Sequence, residues 1–285
     1  MAAGAAAPAI RAWNPNVPGI REVFHARFAD HAYPPHTHDV WTLFIVDDGA
    51  IRYELDGRPH VADRSMVTIL PPHVVHDGRP ATDGGFRKRV LYLEVDTVGE
   101  HLVGAAVDRP VVLDEHLRRH LSRLHDVLAC PDDTLEAETR LASVTTRIAA
   151  ALGPPATTPD RAHPSDAAEE LRAYLDARLF EPVTLASVAT VLGATTTQLA
   201  RAFSATFGIP PHAYVLGRRL EVARCRILDG QPLADVAAET GFCDQAHLTR
   251  RFRQLLGTTP GRFRARPAPT RPPPTRPVLQ APGDT

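Results

Sequence analysis

Cysteine is scarce: three residues in 285, at positions 130, 225 and 243, never at C-x-x-C spacing. That excludes a disulfide framework and a cysteine-based zinc site, and it suits a reducing compartment, so the cytoplasm is the expected location. No apolar run approaches the roughly 20 residues of a membrane span. Residues 1–9 are alanine-rich without the basic flank of a secretory signal, so neither export nor a membrane partner is expected. No Ser/His/Asp set, phosphate-cradling glycine loop or pair of acids stands out, which leaves the commoner hydrolytic and phosphoryl-transfer chemistries without a carrier. Lysine is nearly missing too. Lys88 stands alone, and because arginine replaces lysine over the whole chain, this reads first as a bias of base composition.

What is present is unevenly distributed. Residues 165–285 hold 15 arginines against 11 acids, a balance of +4, whereas residues 1–164 carry −5. Residues 241–266 set six arginines against Asp244 alone, the asymmetry of a segment that meets a polyanion. Prolines break the chain at 153–164, the expected linker, the alanine-rich residues 1–9 read as a disordered start, and the Pro/Arg-rich residues 267–285 lack the apolar content to form a core. Between 20 and 95, short β-branched and aromatic runs (41–46, 51–55, 66–70, 90–95) alternate with turn signals such as Asp47-Asp48-Gly49, Asp56-Gly57 and Asp77-Gly78. Many short strands so spaced predict a barrel or sandwich. The period then becomes helical: Leu117, Leu121, Leu124 and Leu128 form one stripe, and Leu141, Val144, Ile148 and Leu152 a second. These stripes either pack within the chain or form a seam between two copies. On the second reading, residues 114–152 are dimerisation helices and the protein is a homodimer.

The C-terminal part repeats itself. Leu199-x-Arg201-x-Phe203, Gly208, Pro211 and Tyr214 recur 49 residues later as Leu248-x-Arg250-x-Phe252, Gly257, Pro260 and Phe263. Upstream, Leu185-x-x-Val188-Ala189-x-x-x-Gly193 recurs 48 residues later from Leu233 to Gly241, so the second copy gains one residue after its glycine. Each copy predicts a short helix, a glycine that permits φ > 0, and a second helix buried through its Leu and Phe. That is the plan of a helix-turn-helix, whose second helix offers its exposed side to a major groove. Thr196, Thr197, Gln198 and Arg201 face outward in the first copy, and Gln245, Thr249, Arg250 and Arg253 in the second. Arg and Gln suit guanine and adenine edges, and Thr methyls suit thymine, so double-stranded DNA is the expected partner. Residues 211–228 read as one linking helix of about 27 Å.

Residues 166–264 resemble the DNA-binding domain of the AraC/XylS family of transcriptional regulators. The resemblance rests on Gly241-Phe242-x-x-x-x-x-Leu248-x-Arg250-x-Phe252 followed by Gly257-x-x-Pro260-x-x-Phe263. It implies an α+β chain of two domains: a cupin-like barrel with flanking helices over 10–152 and an all-α double helix-turn-helix over 165–266. It also implies a small-molecule effector, transcription regulation without enzymatic activity, and RNA polymerase as a partner if the protein is an activator.

Given a cupin-like barrel, Pro35-His36-Thr37-His38 resembles the first motif of that fold and Pro71-x-His73-x-x-His76 the second, with His73 where glycine is usual. His36, His38, Thr42 and His76 are therefore the expected effector-binding residues. His36, His38 and His76 offer three imidazoles that could hold a divalent metal. Thr42 stands where metal-dependent cupins carry glutamate, so no metal cofactor is the first expectation. A metal-dependent cupin enzyme fused to a DNA-binding domain is the alternative.

Overall fold

A computed structural model describes residues 9–129, 134–153 and 166–264. The N-terminal unit comprises β1 (Ala9–Trp13), β2 (Ile20–Phe28), β3 (Tyr33–His36), β4 (Trp41–Gly49), β5 (Ile51–Leu55), β6 (Arg58–Ala62), β7 (Val67–Leu70), β8 (His76–Pro80) and β9 (Phe86–Leu93). Two short helices, α1 (Val95–Val98) and α2 (Val103–Asp108), precede β10 (Val111–Val112), and the unit closes with α3 (Glu115–Val127) and α4 (Thr134–Leu152). The strands pair antiparallel in two sheets, β1-β2-β9-β4-β7-β10 and β3-β8-β5-β6, which face each other as a barrel.

The pleat explains why β4 reads as a continuous apolar run. Residues 41–46 are all buried, but on two different sides. Trp41, Leu43 and Ile45 point outward beneath α3 and α4, while Phe44 and Val46 point into the barrel. Both helical stripes lie on that outer layer, with Leu117, Leu121, Leu124, Val144, Ile148 and Leu152 fully buried within the same chain. A seam between two copies is thus not available to these stripes. The packing has already used them.

The strands differ from expectation in places. Asp77-Gly78 lies within β8 rather than at a turn, the last strand runs 86–93 with Val95 opening α1, and Ala9 belongs to β1 instead of a disordered start. Asp56 and Gly57 do form the predicted turn, with φ of 51° and 72°, the double left-handed geometry of a tight hairpin between β5 and β6. Residues 1–8, the linker from 154 onward and the tail from 265 lie outside the described residues.

The C-terminal unit contains α5 (Asp166–Ala177), α6 (Leu185–Val191), α7 (Thr196–Phe207), α8 (Pro211–Leu228), α9 (Leu233–Glu239), α10 (Gln245–Leu256) and α11 (Pro260–Phe263). The predicted turn glycines, Gly193 and Gly241, have φ of 63° and 76°. The first copy has its own core around Leu171, Val188, Leu199, Phe203 and Tyr214. The second does not. Leu220, Leu248, Phe252, Leu255, Leu256 and Phe263 form one cluster with Phe24, Phe28, Phe44 and Tyr92 of the barrel interior. The barrel and the second helix-turn-helix share a core.

Candidate nucleic-acid interface and sensor site

The exposed face of α10 is set by what its other face buries. Leu248, Phe252, Leu255 and Leu256 turn inward, which leaves Gln245, Arg250 and Arg253 exposed and Thr249 half-exposed. With Ala246, Gln254 and Thr259 they line an open groove of about 720 Å³. Asp244 caps the helix by accepting a hydrogen bond from the His247 amide at 2.6 Å, so the helix begins at Gln245, the first of its reading side chains. In α7, Thr196, Thr197, Gln198 and Arg201 are likewise exposed, around buried Leu199 and Phe203. Gln198 also caps its own helix, because its side-chain oxygen accepts from the Thr195 amide at 2.9 Å in a capping box. Among the described residues, no ion pair engages Arg201, Arg250 or Arg253. Free guanidinium groups on helix faces already held rigid are what a groove-reading surface needs.

The second site lies inside the barrel. His36 on β3, His38 beyond it and His76 on β8 are all buried, with ring centroids 4.9, 4.5 and 5.1 Å apart. One ligating atom from each lies within 4.8 Å of the other two. The Nδ1 sides are occupied: His36 Nδ1 meets the Pro34 carbonyl at 2.7 Å, His76 Nδ1 the Val74 carbonyl at 3.0 Å, and His38 Nδ1 the Glu221 carboxylate at 2.7 Å. Burial, then the neighbouring rings, holds His36 well below the usual histidine range. Burial likewise pushes His38 and His76 down to about 3. Neutral rings donate Nδ1–H to these oxygens and keep a lone pair on Nε2. Burial also raises the Glu221 pKa to about 7, so the His38–Glu221 contact joins two groups that burial pushes toward their neutral forms.

Thr42 also lines this cavity, with Tyr33, Tyr53, Lys88 and Tyr92, and Leu255 and Leu256 of α10 close it. Its volume is about 40 Å³. Among the described residues the Thr42 and Tyr33 hydroxyls have no hydrogen-bond partner there. The single lysine, read from the sequence as a compositional accident, sits 4.3 Å over the Tyr33 ring, and burial brings its pKa down to about 7. Its solitude in an arginine-rich chain was the one available signal.

Sequence reasoning missed a third feature, the contact between the two sites. Glu22 of β2 and Arg224 of α8 pair at 2.5 Å, both fully enclosed, with the guanidinium 4.5 Å over the Tyr92 ring. Burial raises the Glu22 pKa, and Arg224 opposes that rise. Beside them, Arg218 joins Asp39 at 2.8 Å and Glu221 at 2.7 Å. Tyr214, Leu220, Ala223 and Ile227 of α8 are buried at apolar spacing, and Glu221 and Arg224 are buried with them. Apolar periodicity carries no trace of them.

Comparison with known proteins places both halves. The family model described as AraC-like ligand binding domain matches residues 18–144, and a helix-turn-helix domain model matches residues 188–266. The chain is 34% identical over 91 residues, 32% of its own length, to the probable transcriptional regulator LumQ of Photobacterium leiognathi. It spans little more than a third of LumQ (37%) and of the Yersinia enterocolitica activator VirF (36%). The transcriptional activator NphR of a Rhodococcus species is 26% identical over 238 residues, 79% of this chain and 69% of that one. Among solved structures, ToxT of Vibrio cholerae superposes with a TM-score of 0.57 at 11% identity, covering 89% of this chain and 94% of ToxT. No helix of the described residues is long and apolar enough to cross a membrane.

Proposed function

We infer that this chain, which belongs to the AraC family, is a sequence-specific DNA-binding transcriptional regulator whose barrel senses an effector. The observation that carries the reading is the repeated reading face: exposed Thr196, Thr197 and Arg201 on α7, and Gln245, Arg250 and Arg253 on α10, on scaffolds that bury the same Leu and Phe positions. The two faces lie in tandem in one chain and differ in sequence, so no two-fold axis relates them. One molecule then contacts two unlike boxes in successive major grooves, centred about 10–10.5 base pairs apart.

The barrel supports a sensing role through its lid. Leu255 and Leu256 cover the cavity from the same helix that carries Gln245 and Arg250. At about 40 Å³ the cavity suits an ion or a water or so. Anything larger has to displace α10, and that displacement is a route from effector to DNA. The named relatives are regulators and activators, so the protein is read as non-enzymatic and, if it is an activator, as acting with RNA polymerase. A homodimer, if formed, uses surfaces other than the two buried stripes of α3 and α4.

The test selects a site from random DNA with full-length protein and then inserts about five base pairs between its boxes. The insertion turns the boxes to opposite faces of the duplex, beyond the reach of one linking helix. Equal affinity at both spacings would leave a single functional reader.

A further inference from the structure

We propose that the barrel's effector site is a divalent transition-metal site of the zinc class, ligated by His36, His38 and His76, with Glu221 of the DNA-binding half orienting the His38 ring. This rests on the sensor reading of the barrel and names the ligand it takes.

Four observations converge. The three rings are brought together from two neighbouring strands of the smaller sheet and the segment after β3, with ligating atoms within 4.8 Å of one another. That spread exceeds the roughly 3.3 Å between nitrogens on one tetrahedral ion by up to about 1.5 Å, a gap that side-chain rotations close. The outer nitrogen of every ring is already committed, to a backbone carbonyl twice and to a carboxylate once. This is how metal-binding imidazoles are held: the second nitrogen donates to an oxygen, which fixes the tautomer and aims Nε2 at the ion. The enclosed volume of about 40 Å³ matches an ion with one further small ligand. Thr42 and Tyr33 present unpartnered hydroxyls to the same space, where polar atoms have no reason to stay unpaired unless a ligand or water meets them.

The donor set points to the metal class. Three neutral imidazoles with no carboxylate disfavour calcium and magnesium, which demand oxygen, and favour zinc, cobalt, nickel or copper. Lys88 lines the cavity as well, so the open position on the ion suits an anion. Thr42 removes the carboxylate ligand of metal-dependent cupins, yet a carboxylate is still supplied, from α8 and to a ligand rather than to the ion. Glu221 also accepts from Arg218, which holds Asp39 of the barrel. The orientation of His38 thus depends on whether α8 is docked. Metal occupancy and the seating of the reader are coupled.

The experiment uses untagged full-length protein, stripped with chelator and dialysed, then titrated with Co2+ as a visible probe and Zn2+ as competitor. One Co2+ per chain is expected, with the ligand-field absorption of a nitrogen-liganded site that Zn2+ abolishes. His36→Ala and His76→Ala should each lose the signal. Glu221→Gln should keep the stoichiometry and weaken affinity by about 10–100-fold. His116→Ala, on the exposed face of α3, should bind as the parent does. Circular dichroism reports folding, and if the histidine variants unfold, the parent's stoichiometry and the Glu221→Gln shift decide. Overturning results are a parent that retains neither ion, or Glu221→Gln binding with unchanged affinity. DNA binding in the same preparations is scored separately. A protein that binds selected DNA but no metal sinks this inference alone, and one that binds metal but no DNA sinks the regulator reading.

Discussion

Arg250 and Phe252 sit two positions apart on α10 and face opposite ways, and this separates reading from folding at the scale of single residues. Arg250 is exposed and unpaired among the described residues, so Arg250→Ala should cost about 1–3 kcal/mol in binding selected DNA and leave thermal unfolding unchanged. Phe252 is fully buried, its ring 5.1 Å from that of Phe263, and Phe252→Ala should cost about 3–5 kcal/mol of stability in denaturant titrations. His73 offers a test of opposite sign. It replaces the glycine of the second barrel motif and has φ of +62°, a left-handed conformation that a side chain disfavours. His73→Gly should relieve that strain and raise stability by about 0.5–1 kcal/mol, net of the greater freedom glycine has when unfolded. A lower denaturation midpoint would mean that the ring contributes packing which outweighs the strain. Both the facing of α10 and the oddity of His73 were legible in the sequence, the first because α10 repeats the Leu and Phe spacing of α7 and the second because it departs from a short motif. Lys88 was legible as an oddity but not as a cavity residue, since nothing local says which way a lone lysine points.

At the scale of elements, legibility followed length and period. The helices α3, α4, α7 and α10 announced themselves through stripes that the fold buries in full. The strands β3, β6 and β8 did not: each has four or five residues and contains proline or glycine, and turn chemistry in so short a segment masks the strand. The helix α3 also carries a polar group that its stripe does not predict. His125 is buried against the barrel, its Nδ1 3.1 Å from His25 Nε2 of β2, and burial, then the nearby His25 and Arg89, holds its pKa well below 6.5. A base whose pKa falls on folding contributes stability that is present above its unfolded value and lost as pH drops below it, because the unfolded chain then takes up the proton. The loss should begin near pH 6.5 and grow by up to about 1.4 kcal/mol per pH unit for His125 alone. The double variant His25→Phe/His125→Leu should therefore show a flatter fall in denaturation midpoint between pH 6.5 and 5 than the parent. Parallel slopes would mean that the pair does not titrate in this window.

At the scale of the molecule, the sequence suggests two domains with separate cores joined by a proline-rich linker, and this is where it says least. A core shared by distant segments leaves no periodic mark: Phe24 and Phe263 are 239 positions apart and their ring centroids 6.3 Å. The pairing of Glu22 with Arg224 is equally silent, because each residue in its own element looks like an ordinary solvated charge. Their burial has a physical consequence. A buried ion pair adds little net stability while intact, but removing one partner strands the other charge in an apolar setting, at about 3–5 kcal/mol. Arg224 lies among Phe24, Tyr92 and Phe263, with no water-facing escape except separation of α8 from the barrel. Neither unit needs the pair for its own fold, since the outer core beneath α3 and α4 and the core of the first helix-turn-helix lie elsewhere. Glu22→Ala should therefore undock the units before it unfolds either. Calorimetry of the parent should show one cooperative transition, and of the variant two, with the C-terminal unit melting first because it loses the barrel face of its second bundle. The variant should also expand in solution scattering and bind selected DNA with altered affinity, since α10 is freed from its lid position. A single transition at the parent's temperature, with unchanged dimensions, would show that the apolar contacts of the shared core hold the units together without the buried pair.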